Sequence, residues 1–351
     1  MPEQVTKITL SGSPEEIGFN HGRFLKEQIR RNVEFYKALF LSNFGQESGV
    51  LKSALRFKEV IEDFNPDYSV EIEHIALGAG ISEPLWLYAL NARTELALEG
   101  HAQECTAVVF RQANLLGQTW DWARSLLDNF VIMQLELPSG VTILQLTEAG
   151  IIGKIGFNNR GLGVTLNILW IPGIRPAGVP VHVLLRAVLE SQILDETKEA
   201  IRRSGFGKAS NMIVAQGGSA FDVEFSGAGS IFHEIEEPVY VHTNHLIHSR
   251  AGVQVESTSL ASSIARYTAV ERAFEKTRDF SRQKMAEILS KCPGGEGSVL
   301  VCYKPDAGSG LGYVGTLATI MMDLSRKSML VRKGNPSLDS FSSRDFEEYS
   351  I

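Results

Sequence analysis

Cysteine is scarce in this chain, and the three that occur, Cys105, Cys292 and Cys302, are odd in number and form no C-x-x-C pair. That argues against a disulfide framework or a zinc knuckle and leaves free thiols in a reducing compartment as the expectation. Long apolar runs are missing too: none approaches the roughly 18 residues of a membrane-spanning helix. The first residues, M-P-E-Q-V-T-K-I-T-L-S, lack the positive-then-apolar order of a secretory leader, and the last, E-E-Y-S-I, are not a peroxisomal signal. A cytoplasmic protein with no membrane partner is expected. Runs of Lys and Arg are absent, and 34 basic against 41 acidic residues give a net charge of −7, so nucleic acid is not an expected partner. The serines at 226–230 and 257–263 sit in no G-x-S-x-G elbow. Gly310, Gly312 and Gly315 have G-x-G-x-x-G spacing but lead into a strand instead of a helix, which removes a dinucleotide-binding reading.

What is present describes a folded protein. A hydrophobic share of 44% beside 21% charged residues lies outside the disordered and fibrous classes, and 351 residues allow two domains or one large layered one. The first hundred residues read as helical. Ser13-Pro14-Glu15-Glu16 is a capping box, and behind it Leu25, Ile29, Val33, Tyr36 and Phe40 form one apolar stripe of a long helical segment. A second helix is predicted over Leu51 to Phe64, stopped by Asn65-Pro66, and a third from Ser82 through Leu90 towards Glu99.

From Cys105 the texture changes to short β-branched runs. C-T-A-V-V-F, L-G-Q-T-W-D-W, F-V-I-M-Q-L-E-L and V-T-I-L-Q-L-T predict a meander, with a hairpin turn at Pro138-Ser139-Gly140. Two further strands turn at Asn158-Asn159-Arg160-Gly161, a helical block spans Val181 to Arg203, strands return on either side of Gly217-Gly218 and at P-V-Y-V-H-T-N, residues 260–290 are helical, and two strands close the chain. Two antiparallel sheets face to face, with helices on both outer surfaces, would bury all these apolar faces. The expected fold is therefore α+β, a four-layer αββα sandwich over residues 105–351, with a helical N-terminal segment, residues 1–104, packed on it.

Cys105 stands at the entrance of that sandwich and admits two readings. It is a small buried apolar side chain, or the nucleophile of a site created by cutting the Glu104–Cys105 bond. The cut would give one residue both a thiol and an α-amine, and an amine of ordinary pKa about 7.7–8.0 can serve as general base without a histidine. Asp121, in G-Q-T-W-D-W, is placed to hold that amine or to be a turn aspartate. Asn244, in V-Y-V-H-T-N-H, is an oxyanion donor or a strand-end turn residue. His242, His245 and His248 repeat at intervals of three, yet leave a strand without accompanying carboxylates, which disfavours a metal site.

These stretches resemble the acyl-coenzyme A:6-aminopenicillanic acid acyltransferase family, the C45 peptidases among the N-terminal-nucleophile hydrolases. The likeness runs through G-S-P-E-E-I-G-F-N-H-G, L-N-A-R-T-E, C-T-A, G-Q-T-W-D-W, T-E-A-G-I-I-G-K-I-G-F-N, R-P-A-G-V-P, L-L-R-A-V-L-E-S and V-H-T-N-H. It implies the αββα fold, with Cys105 as self-processing nucleophile, Asp121 positioning its freed amine and Asn244 in the oxyanion hole. A looser similarity to the bile-salt hydrolase and penicillin V acylase branch adds Asn167 and Arg266. It further implies acyl transfer or amide hydrolysis on a small N-acyl compound, a cleaved prosegment retained as heterodimer partner, and no metal or bound cofactor, with an acyl-coenzyme A as a conceivable donor substrate.

Two departures stand out. Penicillin-making members have Gly before the cysteine where this chain has Glu104, and a Ser-Arg pair where it has Gly312-Tyr313. Without that cation a penicillin carboxylate is poorly recognised, so penicillin synthesis is not the expected role. The competing class is a catalytically silent relative kept as a binding or assembly protein.

Overall fold

The computed structural model describes residues 5–97, 105–169, 171, 177–205, 207–226, 229–248, 258–275, 278–290, 299–301, 303–305, 311–334 and 346–351. Glu104, Cys292, Cys302 and Gly310 lie outside the described residues.

The N-terminal part starts with a strand, β1 (Lys7–Ser11), not a helix. K-I-T-L-S alternates at period two, but five residues in front of a strong capping box are easily read as its approach. The box itself forms: Ser13 accepts from the Glu16 N–H and the Glu16 carboxylate accepts from the Ser13 N–H, opening α1 (Pro14–Phe24). The long stripe is broken at Leu25, and α2 (Lys26–Phe44) continues from there. The break lets α1 lie against α4 (Pro66–Ala79) at main-chain distance. A Cβ on Gly18 or Gly22 would meet the Glu71 or Ile75 carbonyl oxygen at 2.3 Å, so G-F-N-H-G is a close-packing motif. Between them, α3 (Glu47–Phe64) ends where predicted, but Asn65 also caps the next helix by accepting from the Asp67 N–H. Two short helices follow, α5 (Leu85–Asn91) and α6 (Arg93–Leu96).

The remainder alternates strands and helices as expected, except that the predicted four-strand meander divides after its second strand, two strands going to each of two sheets. β2 (Cys105–Phe110), β3 (Leu115–Ala123), β4 (Phe130–Glu136), β5 (Thr142–Glu148), β6 (Ile155–Asn158), β7 (Leu162–Val164) and β8 (Asn167–Ile168) precede α7 (Val181–Glu190) and α8 (Leu194–Arg203). Then come β9 (Ser210–Gln216), β10 (Ser219–Ser226), β11 (Gly229–Glu234) and β12 (Val239–His242). α9 (Thr258–Glu275), α10 (Arg282–Leu289), β13 (Lys304–Pro305), β14 (Tyr313–Asp323), β15 (Ser328–Lys333) and β16 (Glu347–Ser350) complete the chain.

Among the described residues the strands form two sheets. One runs β1-β4-β5-β6-β7-β9-β10-β11, with β8 also on β9; the other runs β12-β2-β3-β14-β15-β16, with β13 on β14. Every pairing is antiparallel except β1 with β4, so the first sheet is not purely antiparallel and its edge comes from the N-terminal part. Along β2 the two faces separate cleanly. Cys105, Ala107 and Val109 enter the core between the sheets, while Val108 and Phe110 join Val270 of α9 and Met285 and Leu289 of α10 in an outer layer. α7 covers β6 and β7 on the other flank. The αββα order is therefore present, with the N-terminal helices docked on it. No described helix is long and apolar enough to cross a membrane.

Candidate functional site

Cys105 is 5% exposed and begins β2, directly opposite Trp120 of β3. Its N–H donates to Asn244 Oδ1 at 2.8 Å, and its carbonyl accepts from Arg266 Nη1 at 2.6 Å. Arg266 projects from α9 onto the outer side of the strand, where Nη1 also reaches Thr106 Oγ1 at 2.9 Å and Nη2 reaches Asn244 Oδ1 at 2.9 Å. The first peptide unit of β2 is thus held by an amide oxygen and a guanidinium that hold each other.

Asn244 follows β12, the strand that pairs with β2. Its N–H donates to Ser263 Oγ at 2.7 Å and its Nδ2 to the Ile168 carbonyl at 2.9 Å. Asn244 therefore touches residue 105 through its acceptor atom, while Nδ2 retains a second N–H. Asp121 is buried in β3, one position beyond Trp120 and opposite Thr316. Its main chain hydrogen-bonds the thiol, and burial together with the Asp121 charge pushes the Cys105 thiol up to about 11. In this state, with its amide intact, the sulfur is a neutral thiol at physiological pH.

Asn167 lies one residue from the Ile168 carbonyl that Asn244 binds. It points to Asn211, with Nδ2 3.2 Å from Asn211 Oδ1, and its own Oδ1 is buried with no hydrogen-bond partner among the described residues. All five sequence candidates inside the described region are gathered at one end of the two sheets: Cys105, Asn244 and Arg266 in direct contact, Asp121 at the thiol, and Asn167 one step away.

The histidines diverge. His242 Nε2 is 2.9 Å from Glu224 Oε1, His245 Nδ1 lies between Thr243 and Ser263, and His248 Nε2 is 2.9 Å from the Tyr240 hydroxyl and 3.3 Å from Asp222 Oδ2. Carboxylates do accompany His242 and His248, contrary to the sequence reading, because β10 of the other sheet brings Glu224 and Asp222 to them. Each serves a separate bond, and no group of three or more His, Cys, Asp or Glu among the described residues is placed to hold a metal. Glu224 also accepts from the Ile247 N–H at 2.5 Å and the His248 N–H at 3.1 Å, which ties down the loop that carries Asn244.

Sequence reasoning missed a charged cluster behind the site. Glu148 at the end of β5 accepts from Arg93 at 2.7 Å and Lys154 at 2.7 Å on one oxygen, and from the Tyr36 hydroxyl at 2.5 Å on the other. Lys154 Nζ lies 3.2 Å from the centre of the Trp120 ring. Burial alone would raise the Glu148 carboxyl, but Arg93 and Lys154 hold it at about 2; burial, against the pull of Glu148, brings the Lys154 ammonium down to about 7. The available signal was a charge inside apolar runs, in L-Q-L-T-E and I-I-G-K-I-G, since charged groups are buried only with partners.

A family match and a full-length relative agree on the family. The family described as acyl-coenzyme A:6-aminopenicillanic acid acyl-transferase matches residues 110–338. The chain is similar to the 40 kDa form of acyl-coenzyme A:6-aminopenicillanic-acid-acyltransferase of Emericella nidulans, 31% identical over 340 residues, covering 94% of this chain and 93% of that protein. It is more distantly similar to the beta-alanyl-dopamine/carcinine hydrolase of Drosophila melanogaster, 23% identical over 376 residues, covering 95% and 94%. Among solved structures, the Caenorhabditis elegans orthologue of N-acylethanolamine-hydrolyzing acid amidase matches 70% of this chain and 100% of its own at 14% identity. Its TM-score of 0.46 is too low to bear on function.

Proposed function

Since the chain belongs to the acyl-coenzyme A:6-aminopenicillanic acid acyltransferase family, we propose that it is a self-processing cysteine amidohydrolase or acyltransferase that works through a thioester on Cys105. The observation that carries this reading is the 2.8 Å hydrogen bond from the Cys105 N–H to Asn244 Oδ1. The nitrogen that would become the catalytic amine is gripped by a side chain, in a network with a buried arginine, at the first residue of a strand.

In processing, Cys105 Sγ attacks the Glu104 carbonyl carbon, the C–N bond breaks and the nitrogen takes the thiol proton. Water then opens the resulting thioester to a Glu104 carboxylate and a free Cys105. In turnover the α-amine accepts the Sγ proton as sulfur adds to the substrate carbonyl, and it returns that proton to the leaving amine. Water or an acceptor amine attacks the acyl-thioester and regenerates the thiol. Arg266 fixes the first peptide of β2, Asp121 fixes the thiol end, and the second Nδ2–H of Asn244 is the proposed oxyanion donor. Asn167, whose Oδ1 has no partner among the described residues, is the proposed substrate contact. No bound cofactor is invoked; an acyl-coenzyme A would enter as a donor substrate.

Intact-mass analysis tests the proposal. Wild-type protein should split into residues 1–104 and 105–351 that remain associated, and Cys105→Ala should stay whole. A Cys105→Ala protein that splits like wild type would overturn it. Partition of a thioester substrate between free acid and amide, with added amines, then separates hydrolysis from transfer.

A further inference from the structure

We propose that Lys154 is a further positioning residue of the Cys105 site: a buried ammonium carried over the Trp120 ring, whose charge favours the anionic sulfur during attack. The inference rests on the reading of Cys105 as nucleophile and adds a residue to it. Trp120 pairs with Cys105 across β2 and β3, so the two side chains stand on the same face of the sheet, with Cβ atoms about 5 Å apart. Lys154 Nζ lies over that ring at 3.2 Å from its centre and is fully buried, between the sheets where the sulfur also points. The indole thus carries the ammonium on its face next to the thiol, and Lys154 and Cys105 act on each other electrostatically.

A purely structural role does not account for this lysine. Glu148 already has a cation, Arg93, bound through both Nε at 2.9 Å and Nη2 at 2.7 Å. A second buried cation on the same carboxylate oxygen adds a desolvation penalty without neutralising anything further. In its charged form Lys154 opposes the buried Asp121 carboxylate, whose own charge disfavours the anionic sulfur. The groups that act electrostatically on Lys154 are Glu148 from β5, Arg93 from α6 and Cys105 from β2, and Lys154 in turn acts on His182 of α7, which burial holds neutral. Arg93 and Tyr36 belong to the N-terminal segment, so the docked prosegment helps to hold Glu148, the partner of Lys154, in place after cleavage.

The test follows the rate of Cys105 alkylation by iodoacetamide against pH, on processed full-length protein, with the labelled residue identified by mass. Lys154→Met should move the midpoint of the profile up by about one pH unit, an approximately tenfold slower reaction below the midpoint. A midpoint unchanged from wild type overturns the proposal. Lys154→Arg keeps the charge at every pH and should give a midpoint at or below that of wild type. A midpoint displaced upward in this variant also overturns the proposal, and it decides alone if the methionine variant does not fold. Absence of labelling in native wild-type protein removes the nucleophile itself and the role of Lys154 with it, whereas a labelled wild type with an indifferent Lys154→Met removes only the latter.

Discussion

Asn244 Oδ1 accepts the Cys105 main-chain N–H at 2.8 Å across 139 residues of sequence, and the same oxygen accepts from Arg266. One amide oxygen therefore sets the position of the nitrogen on which both processing and turnover are proposed to depend. Asn244→Ala should slow chain splitting and acyl turnover alike, by about 10²–10³-fold if the proposed oxyanion contact is also lost. Parallel mass and turnover assays check this; a loss below threefold in both would remove Asn244 from the mechanism.

Glu224 holds the Asn244 loop through three donors, His242 Nε2 and the N–H groups of Ile247 and His248. Gln offers one acceptor oxygen and turns an NH2 group towards donors. Hydrogen bonds to a charged acceptor are worth about 1.5–3 kcal/mol each, so Glu224→Gln should destabilise the protein by an amount of that order and lower kcat about tenfold. Urea unfolding with turnover measured on the same preparation tests it. Full stability and full turnover together would mean that the loop does not need its anchor.

Glu71 of α4 and Arg186 of α7 form a buried two-pronged pair, Nη1 to Oε1 at 2.9 Å and Nη2 to Oε2 at 2.8 Å. The pair spans the proposed prosegment and sandwich. Removing one partner of a buried pair costs about 3–5 kcal/mol when the other charge is left unpaired, and the lower end applies here because Arg186 Nε keeps Glu190 at 2.7 Å. Glu71→Ala should lower stability by about that amount and cause the two fragments to separate at lower urea than in wild type, as read by size-exclusion chromatography. Co-elution at wild-type urea concentrations would be evidence that the pair does not contribute to fragment association.

Glu95 is buried and accepts from the Val181 N–H at the start of α7; burial raises its carboxyl to about 7 from 4.5. The folded state therefore holds a proton that the unfolded chain releases near 4.5. Stability from this group is present below about 4.5, declines as pH rises from there towards 7, and is gone above 7. Glu95→Gln keeps an acceptor for Val181 and never ionises, so it should exceed wild type in Tm at pH 8 and lose the advantage at pH 4.5. Parallel Tm profiles at both pH values would be the contrary result.

The layered fold was legible because its signals are local. Capping at Ser13, the turn at Gly140, which has φ +78°, and the change from period 3.6 to period two at Cys105 each depend on a few neighbouring residues. The strand at Lys7–Ser11 and its parallel pairing with β4 were not legible, since a parallel partner 125 residues away leaves no mark on a five-residue run. Lys154 and Glu148 were missed for a related reason. A charge in an apolar run announces burial but does not name its partner, and here the partners come from α2, α6 and the strand ends.

Composition, periodicity and the matched motifs were enough for the layer order and the family, and they supplied the residues of the proposed site, because chain-local propensities and an unusual cysteine context carry them. Contacts between distant segments supplied everything else. Asn244 binds residue 105 through its oxygen, Glu224 anchors that loop, and a lysine stands over Trp120. Such relations follow from sheet register and desolvation, which exist only once the two sheets have closed on each other.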